Sequence, residues 1–261
     1  MLEIRSLDCG YEDKKILKDV NITADAGDII CILGPNGSGK STLIKTIIGL
    51  LEPYKGDILI DNHSIKNWSW KKRAKVISYI PQSFSSTFQY KCIDIVLMGR
   101  TSYLNFMSFP SKEDEEVAEK AMEILRIEHL RDKIYSQLSG GERQLVKIAQ
   151  ALAQESKIIV MDEPTNNLDF GNQMIMLKYL RKYSDKGITI IMATHFPEHA
   201  FLYGSKALLV KNEKVMEVNN PNKNLKEIDL ERLYDVELRV VEVDSENGKN
   251  KICLPVFERR D

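Results

Sequence analysis

The stretch GPNGSGKST, residues 34–42, decides how the rest of the chain is read. It satisfies the pattern G-x-x-x-x-G-K-[ST], with Gly34, Gly39, Lys40 and Ser41 in the four fixed places. Each place has a chemical reason. The loop Gly34, Pro35, Asn36, Gly37, Ser38 and Gly39 is small and glycine-rich, so its backbone amides can turn inward toward phosphate oxygens. Lys40 reaches the terminal phosphates, and the Ser41 hydroxyl suits magnesium. Thr42 continues into a helix whose positive N-terminal end adds to the attraction for an anion. Immediately before the loop lies the apolar run IICIL (29–33), and TLIKTIIGLL (42–51) follows it. Strand, loop and helix thus come in the order a phosphate cradle needs.

Working outward, LEIRSL (2–7), DVNITA (19–24), GDILIDN (56–62) and VISYIP (76–81) read as strands, with a turn at Gly27-Asp28. KIIVMDEP (157–164) and ITIIMATH (188–195) are short runs rich in β-branched residues, the mark of strands covered on both faces. Both end in chemistry. Asp162 and Glu163 fall where a buried strand stops, which is where open α/β sheets bind ligands. Asp162 suits a magnesium shell and Glu163 the activation of an attacking water in phosphoryl transfer. His195 closes a third strand of this kind and is placed to donate to a γ-phosphate. Gln82 follows VISYIP, where its amide can touch both magnesium and the attacking water. The remaining histidines, His63, His129 and His199, have no such placement and read as structural.

Between residues 84 and 150 the pattern turns helical. SKEDEEVAEKAMEILRI (111–127) lines up Val117, Ala121, Ile124 and Leu125 and starts with Ser111 and Asp114 at capping-box spacing. LSGGERQ (138–144) opens another helix with a serine and two glycines, which is a second anion site by the same electrostatics as the first. Towards the end of the chain, KALLVKNEKVMEV (206–218) reads as a hairpin, DLERLY (229–234) as a short helix, and VELRVVEV with KICLPVF as a hairpin around Asn247-Gly248. The division expected is a main domain at 1–225, with a helical insertion at about 84–150, and an extension at 226–261.

The 261 residues are 43% hydrophobic and 29% charged, enough for a sizeable core and without low-complexity tracts. Lysine and arginine number 37 against 38 acids. That balance gives no general attraction for nucleic acid. The run Lys71, Lys72, Arg73 and Lys75 reads as a solvated helix face. Cys9, Cys31, Cys92 and Cys253 stand far apart, without the close partners of a zinc site, and fit a reducing cytoplasm. No apolar run approaches the ~18 residues of a membrane span, so work at a membrane requires a partner to hold the chain there.

Taken together, these motifs resemble the nucleotide-binding subunit of ATP-binding cassette (ABC) transporters over nearly the whole chain. LSGGERQ matches that superfamily's signature, and the order also fits: Walker A, Gln82 loop, signature, Walker B at 158–163, the D-loop NNLD (166–169, ending in Asp169), and the switch histidine His195. The resemblance implies an α/β fold: a P-loop NTPase core, an antiparallel β subdomain, a helical subdomain insertion and a small C-terminal helix-hairpin. It implies ATP and Mg2+ as ligands, with Tyr11 stacked on adenine. It also implies a head-to-tail dimer in which Ser139, Gly140 and Gly141 of one copy close on the γ-phosphate held by the other's Walker A loop. The implied partners are integral-membrane permease subunits at the cytoplasmic face of the membrane and, indirectly, an extracytoplasmic substrate-binding protein. DIVLMGRTSYLNFMSFPSKEDEEVAEKA (94–121) and the C-terminal LYDVELRVVEV and KICLPV are similar to ATPases of importers for iron-siderophore, haem, cobalamin and related metal complexes, molybdate included. Zinc and manganese importers share VLMGR, and soluble ABC ATPases such as iron-sulphur assembly factors share the architecture. Two departures stand out. Phe196 occupies a position that is often acidic in the superfamily, and Asn166 and Asn167 stand where the chelate group often has Ser-His.

Overall fold

In the computed structural model, residues 1–82, 89–105, 108–166, 168–245 and 248–256 are described. Two units emerge, Met1–Lys66 with Ile191–Asp261, and Asn67–Ile190. Alternation every second residue builds the first sheet. β1 (Leu2–Tyr11) buries Leu2, Ile4, Leu7 and Cys9, and β2 (Lys14–Ala24) buries Leu17, Val20, Ile22 and Ala24. The step from Ile4 to Leu7 crosses a bulge that restores the inward face. β3 (Ile29–Leu33) buries all five residues and delivers the chain to the 34–39 loop and to α1 (Lys40–Ile47). β4 (Lys55–Ile60) and the short β5 (His63–Ser64) complete an antiparallel sheet of order β2-β1-β4-β5.

In the second unit, α2 (Trp70–Val76) carries the basic run and buries none of its residues, as a solvated face requires. Lys72 and Arg73 lie over the rings of Trp68 and Trp70 instead. β6 (Ile77–Ile80) leads to α3 (Cys92–Leu97), α4 (Lys112–Ile124) and α5 (Gly140–Ala153), the helical segment legible in the sequence. α4 starts at the expected capping box: the Ser111 side chain accepts from the Asp114 amide, and Asp114 accepts from the Ser111 amide. Its buried face is turned from the one expected, onto Ala118, Ala121, Met122 and Leu125, with Val117 and Ile124 half-buried. Small residues let the helix approach closely on that side. Arg100, buried, ties the segment together by donating to Asp114 (2.8 Å), the Ala153 carbonyl (2.9 Å) and Glu155 (2.7 Å).

β7 (Ile158–Asp162) pairs parallel with β6, Ile77 opposite Ile158 through Ile80 opposite Met161. α6 (Phe170–Ser184) follows. β8 (Thr189–Ala193), buried throughout, carries the chain back into the first unit, where the Thr194 amide donates to the Ile32 carbonyl at 3.0 Å. α7 (Pro197–Leu202) precedes β9 (Lys206–Lys211), which pairs parallel with β3 and antiparallel with β10 (Lys214–Asn219), the expected hairpin. After α8 (Pro221–Asn224) and α9 (Glu227–Tyr234) come β11 (Leu238–Ser245) and β12 (Gly248–Pro255), paired antiparallel with Val241 opposite Ile252. Asn247, expected in that turn, lies outside the described residues. A two-stranded hairpin is marginal alone. This one is fastened to α7, where Glu198 accepts the Cys253 amide at 2.9 Å. The architecture is the α/β fold expected from the sequence, with its antiparallel sheet, helical segment and C-terminal helix-hairpin.

Candidate nucleotide site

The phosphate loop lies in the first unit, between β3 and α1. A side chain at Gly34 would put its Cβ 2.4 Å from the Val210 carbonyl oxygen, so only glycine lets the loop pass β9. Gly39, the N-cap of α1, has φ +110°, a conformation L side chains rarely adopt. At the crest, a Cβ on Gly37 would meet nothing within 4 Å, and Asn36 and Gly37 are exposed, so the cradle opens outward. The first turn of α1 contains no acidic residue, which leaves its positive pole unneutralised by its own side chains. Lys40 is 5% exposed, and its ammonium rests on the carbonyls of Gly34 (2.8 Å) and Pro35 (3.0 Å). Ser38 and Ser41 are half-buried and Thr42 is buried. At the end of β1, Tyr11 is 43% exposed, and Lys45 donates to its hydroxyl at 3.3 Å. His195, half-buried, opens onto a 510 Å³ cleft lined also by Pro197, Tyr234, Leu238, Cys253 and Leu254.

The carboxylate pair lies in the second unit. Asp162 ends β7 at 3% exposure, and Glu163 follows at 8%. Glu163 has φ +52°, a costly conformation for a residue with a side chain and one that recurs at functional sites. Its Oε2 accepts from the Gln82 side-chain amide at 2.5 Å and also from the Asn166 side-chain amide. Two amide donors on one oxygen fix the carboxylate's direction. The sequence reading aimed Gln82 at magnesium and water; in this structure its amide is on Glu163. In the sequence Asn166 reads only as a departure from the chelate group. An amide three residues after Glu163 was the available clue to its contact.

The signature segment opens α5 as its spacing suggests, but with its own cap. Ser139 Oγ accepts from the Glu142 amide (3.3 Å), while the Glu142 carboxylate accepts from the Ser139 amide (2.9 Å), and that bond holds the Glu142 carboxyl below the usual range. Ser139 and Gly140 face outward and Gly141 is half-buried. Asp169 likewise caps α6, accepting the Asn172 amide at 2.8 Å; Asn167 lies outside the described residues. His199, read as structural, is 5% exposed, with Nδ1 2.8 Å from Thr194 Oγ1. Burial pushes its pKa down to about 4, so the ring is neutral at neutral pH.

Among the described residues no group of three or more His, Cys, Asp and Glu side chains converges as a metal cage. The donors expected for magnesium are Ser41, Gln82 and Asp162: one buried carboxylate, a hydroxyl and an amide. That set fits an ion held chiefly by substrate phosphates and water. No helix among the described residues is long and apolar enough to cross a membrane.

A phosphate loop of this build and a strand-terminal Asp-Glu pair define a P-loop nucleoside triphosphatase. Residues 17–166 match the family model described as ABC transporter. An uncharacterised ABC transporter ATP-binding protein of Haemophilus influenzae is 40% identical, covering 82% of this chain and 81% of its own. The molybdate import ATP-binding protein MolC of the same organism is 36% identical, over 81% and 79%. YusV of Bacillus subtilis, assigned to siderophore transport, is 34% identical, over 84% and 80%. In three dimensions the chain superposes on a transporter described as metal-chelate type and inward-facing, with TM-score 0.86, 31% identity and 98% of each chain covered. It also superposes on a dimeric bacterial ABC transporter cassette, with TM-score 0.76, 27% identity and 84% and 99% covered. The chain belongs to the ABC transporter family; it is an ATP-binding subunit that hydrolyses ATP.

Proposed function

We propose that this chain powers an importer of a metal complex of the iron-siderophore, haem, cobalamin or molybdate kind. It does so as a head-to-tail pair held against permease subunits at the cytoplasmic face of the membrane. A substrate-binding protein outside the membrane delivers the cargo. The relatives named for molybdate and siderophore transport, and the metal-chelate type transporter, support this choice of cargo. The ABC ATPase domain at 1–225, with its insertion at about 84–150, carries the site; the 226–261 extension is an appendage to it.

In this reading Tyr11 stacks on adenine, and the 34–42 loop with Lys40 holds the phosphates. Ser41, Asp162 and Gln82 hold Mg2+, which supplies charge neutralisation on the phosphate oxygens. Glu163 orients and deprotonates the attacking water. The observation that carries this role is the carboxylate's fixed orientation under two amides on a strained backbone. His195 donates to the γ-phosphate. Ser139, Gly140 and Gly141 of the second copy complete the site, and Asp169 belongs to the same interface. A 660 Å³ groove lined by Trp70, Met98, Leu104, Asn105 and Gln154, with Trp70 63% exposed, is where a permease segment docks.

Glu163→Gln tests the core of the reading. The variant is expected to bind ATP normally, to lose turnover by about a thousand-fold or more, and to accumulate as an ATP-bound pair in light scattering. Near wild-type hydrolysis would remove Glu163 from the role of base. Reconstitution with the permease and assay of metal-complex uptake test the cargo.

A further inference from the structure

The residue after His195 is Phe196, so any support that an acidic residue would give the switch histidine must come from elsewhere. It comes from both sides of His195. Thr194, 1% exposed, is anchored through its amide to the Ile32 carbonyl of β3, the strand that runs into the phosphate loop. Its hydroxyl accepts the Phe196 amide at 3.2 Å, which closes the backbone tightly around His195. The same hydroxyl lies 2.8 Å from Nδ1 of His199, one turn along α7. His199 in turn donates its own amide to the Phe196 carbonyl at 3.1 Å, and the two rings pack 5.2 Å apart. A loop of three residues is thus pinned at both ends by one hydroxyl, and that hydroxyl is held by one imidazole.

We propose that His199 is a positioning residue for the hydrolytic step: through Thr194 it sets the direction in which His195 is presented to the γ-phosphate. The Thr194 oxygen accepts the Phe196 amide, and in this arrangement its own proton serves the contact to the imidazole. It is donated to His199 Nδ1, which fixes His199 as the neutral tautomer protonated at Nε2. Burial disfavours the charged ring and keeps this acceptor available at neutral pH. A displaced His195 still leaves the Lys40 loop intact, so nucleotide binding survives while the chemical step slows. The inference rests on the reading of His195 as the group that meets the γ-phosphate.

The test uses the full-length chain. His199→Ala and Thr194→Val are each expected to lower kcat by about ten-fold or more with nucleotide Kd within about two-fold of wild type. The double variant is expected to be no slower than the worse single one, because both remove the same link. His199→Asn, whose carbonyl oxygen reaches the place of Nδ1, is expected to restore kcat to within about three-fold. Nitrogen-15 NMR of the wild type should show His199 neutral and protonated at Nε2 at pH 7. Wild-type kcat in His199→Ala, additive losses in the double variant, or His199→Asn folding normally without rescue would each overturn the proposal. If His195→Ala itself retains full turnover, the reading of His195 fails first, which is a different result from failure of the His199 link.

Discussion

At the scale of single residues, constraint of direction is the recurring device. Glu163 sits in a left-handed conformation and gives one oxygen to two side-chain amides, from Gln82 and Asn166. The second of these is the testable one, since Asn166 is exposed and its loss leaves no buried hole. Asn166→Ala should reduce kcat by about ten-fold while leaving ATP affinity unchanged, as measured by steady-state hydrolysis beside nucleotide titration. His199 makes a prediction about pH. Its ordinary pKa is 6.5 and burial lowers it to about 4, so between those values the unfolded chain binds the proton that the folded chain refuses. The contribution to stability is complete above about pH 6.5 and is lost as pH falls toward 4. The full loss is on the order of 3 kcal/mol. Thermal melts from pH 7.5 down to 4.5 should therefore show the wild type losing more stability than His199→Asn; parallel curves would contradict it. The sequence reading of Glu163 as the group that activates water does not extend to the contacts of Asn166 and His199. Glycine and lysine spacing announces a phosphate loop, but nothing in the letters tells which amide will reach which carboxylate across 81 positions, as Gln82 reaches Glu163.

At the scale of elements, α1 and α5 begin differently although both open on glycines. α1 starts on Gly39 with no side-chain cap and no acid in its first turn. α5 starts on Ser139 with a complete capping box. The first therefore presents a bare positive pole, while the second presents the Ser139 hydroxyl and outward-facing Gly140 from a helix end whose charge Glu142 has partly offset. That matches a segment that meets an anion already held elsewhere. Ser139→Arg fills this face without removing a buried group, and should leave ATP binding by the monomer intact while preventing ATP-driven pairing in light scattering. A normal pair would rule out contact in trans. The capping box at Ser111 is legible from its spacing; the same spacing at Ser139 and Glu142 reads in the sequence as an anion site, and the structure adds the box. The orientation of α4 is not legible, because Ala118 and Ala121 attract little notice in a hydrophobic pattern yet decide how closely the helix packs. VLMGR read as a family badge, and its Arg100 proves to be a tie among Asp114, Ala153 and Glu155.

At the scale of the whole molecule, every strand expected from an apolar or alternating run is present, since period and burial determine those directly. What the sequence cannot supply is cargo, because an ATPase subunit does not touch what its permease carries. The loop that precedes α1 nevertheless limits the fuel. Lys40 already has two neutral oxygens for company, those of Gly34 and Pro35. An incoming nucleotide must outbid them with formal negative charge, so each phosphate added to the nucleotide strengthens the exchange, and a bare nucleoside has nothing to offer. In the proposed reading the base stacks on Tyr11, which is exposed, and every nucleobase has a face to stack. On that reading the molecule counts phosphates strictly and is lenient about the letter they are attached to.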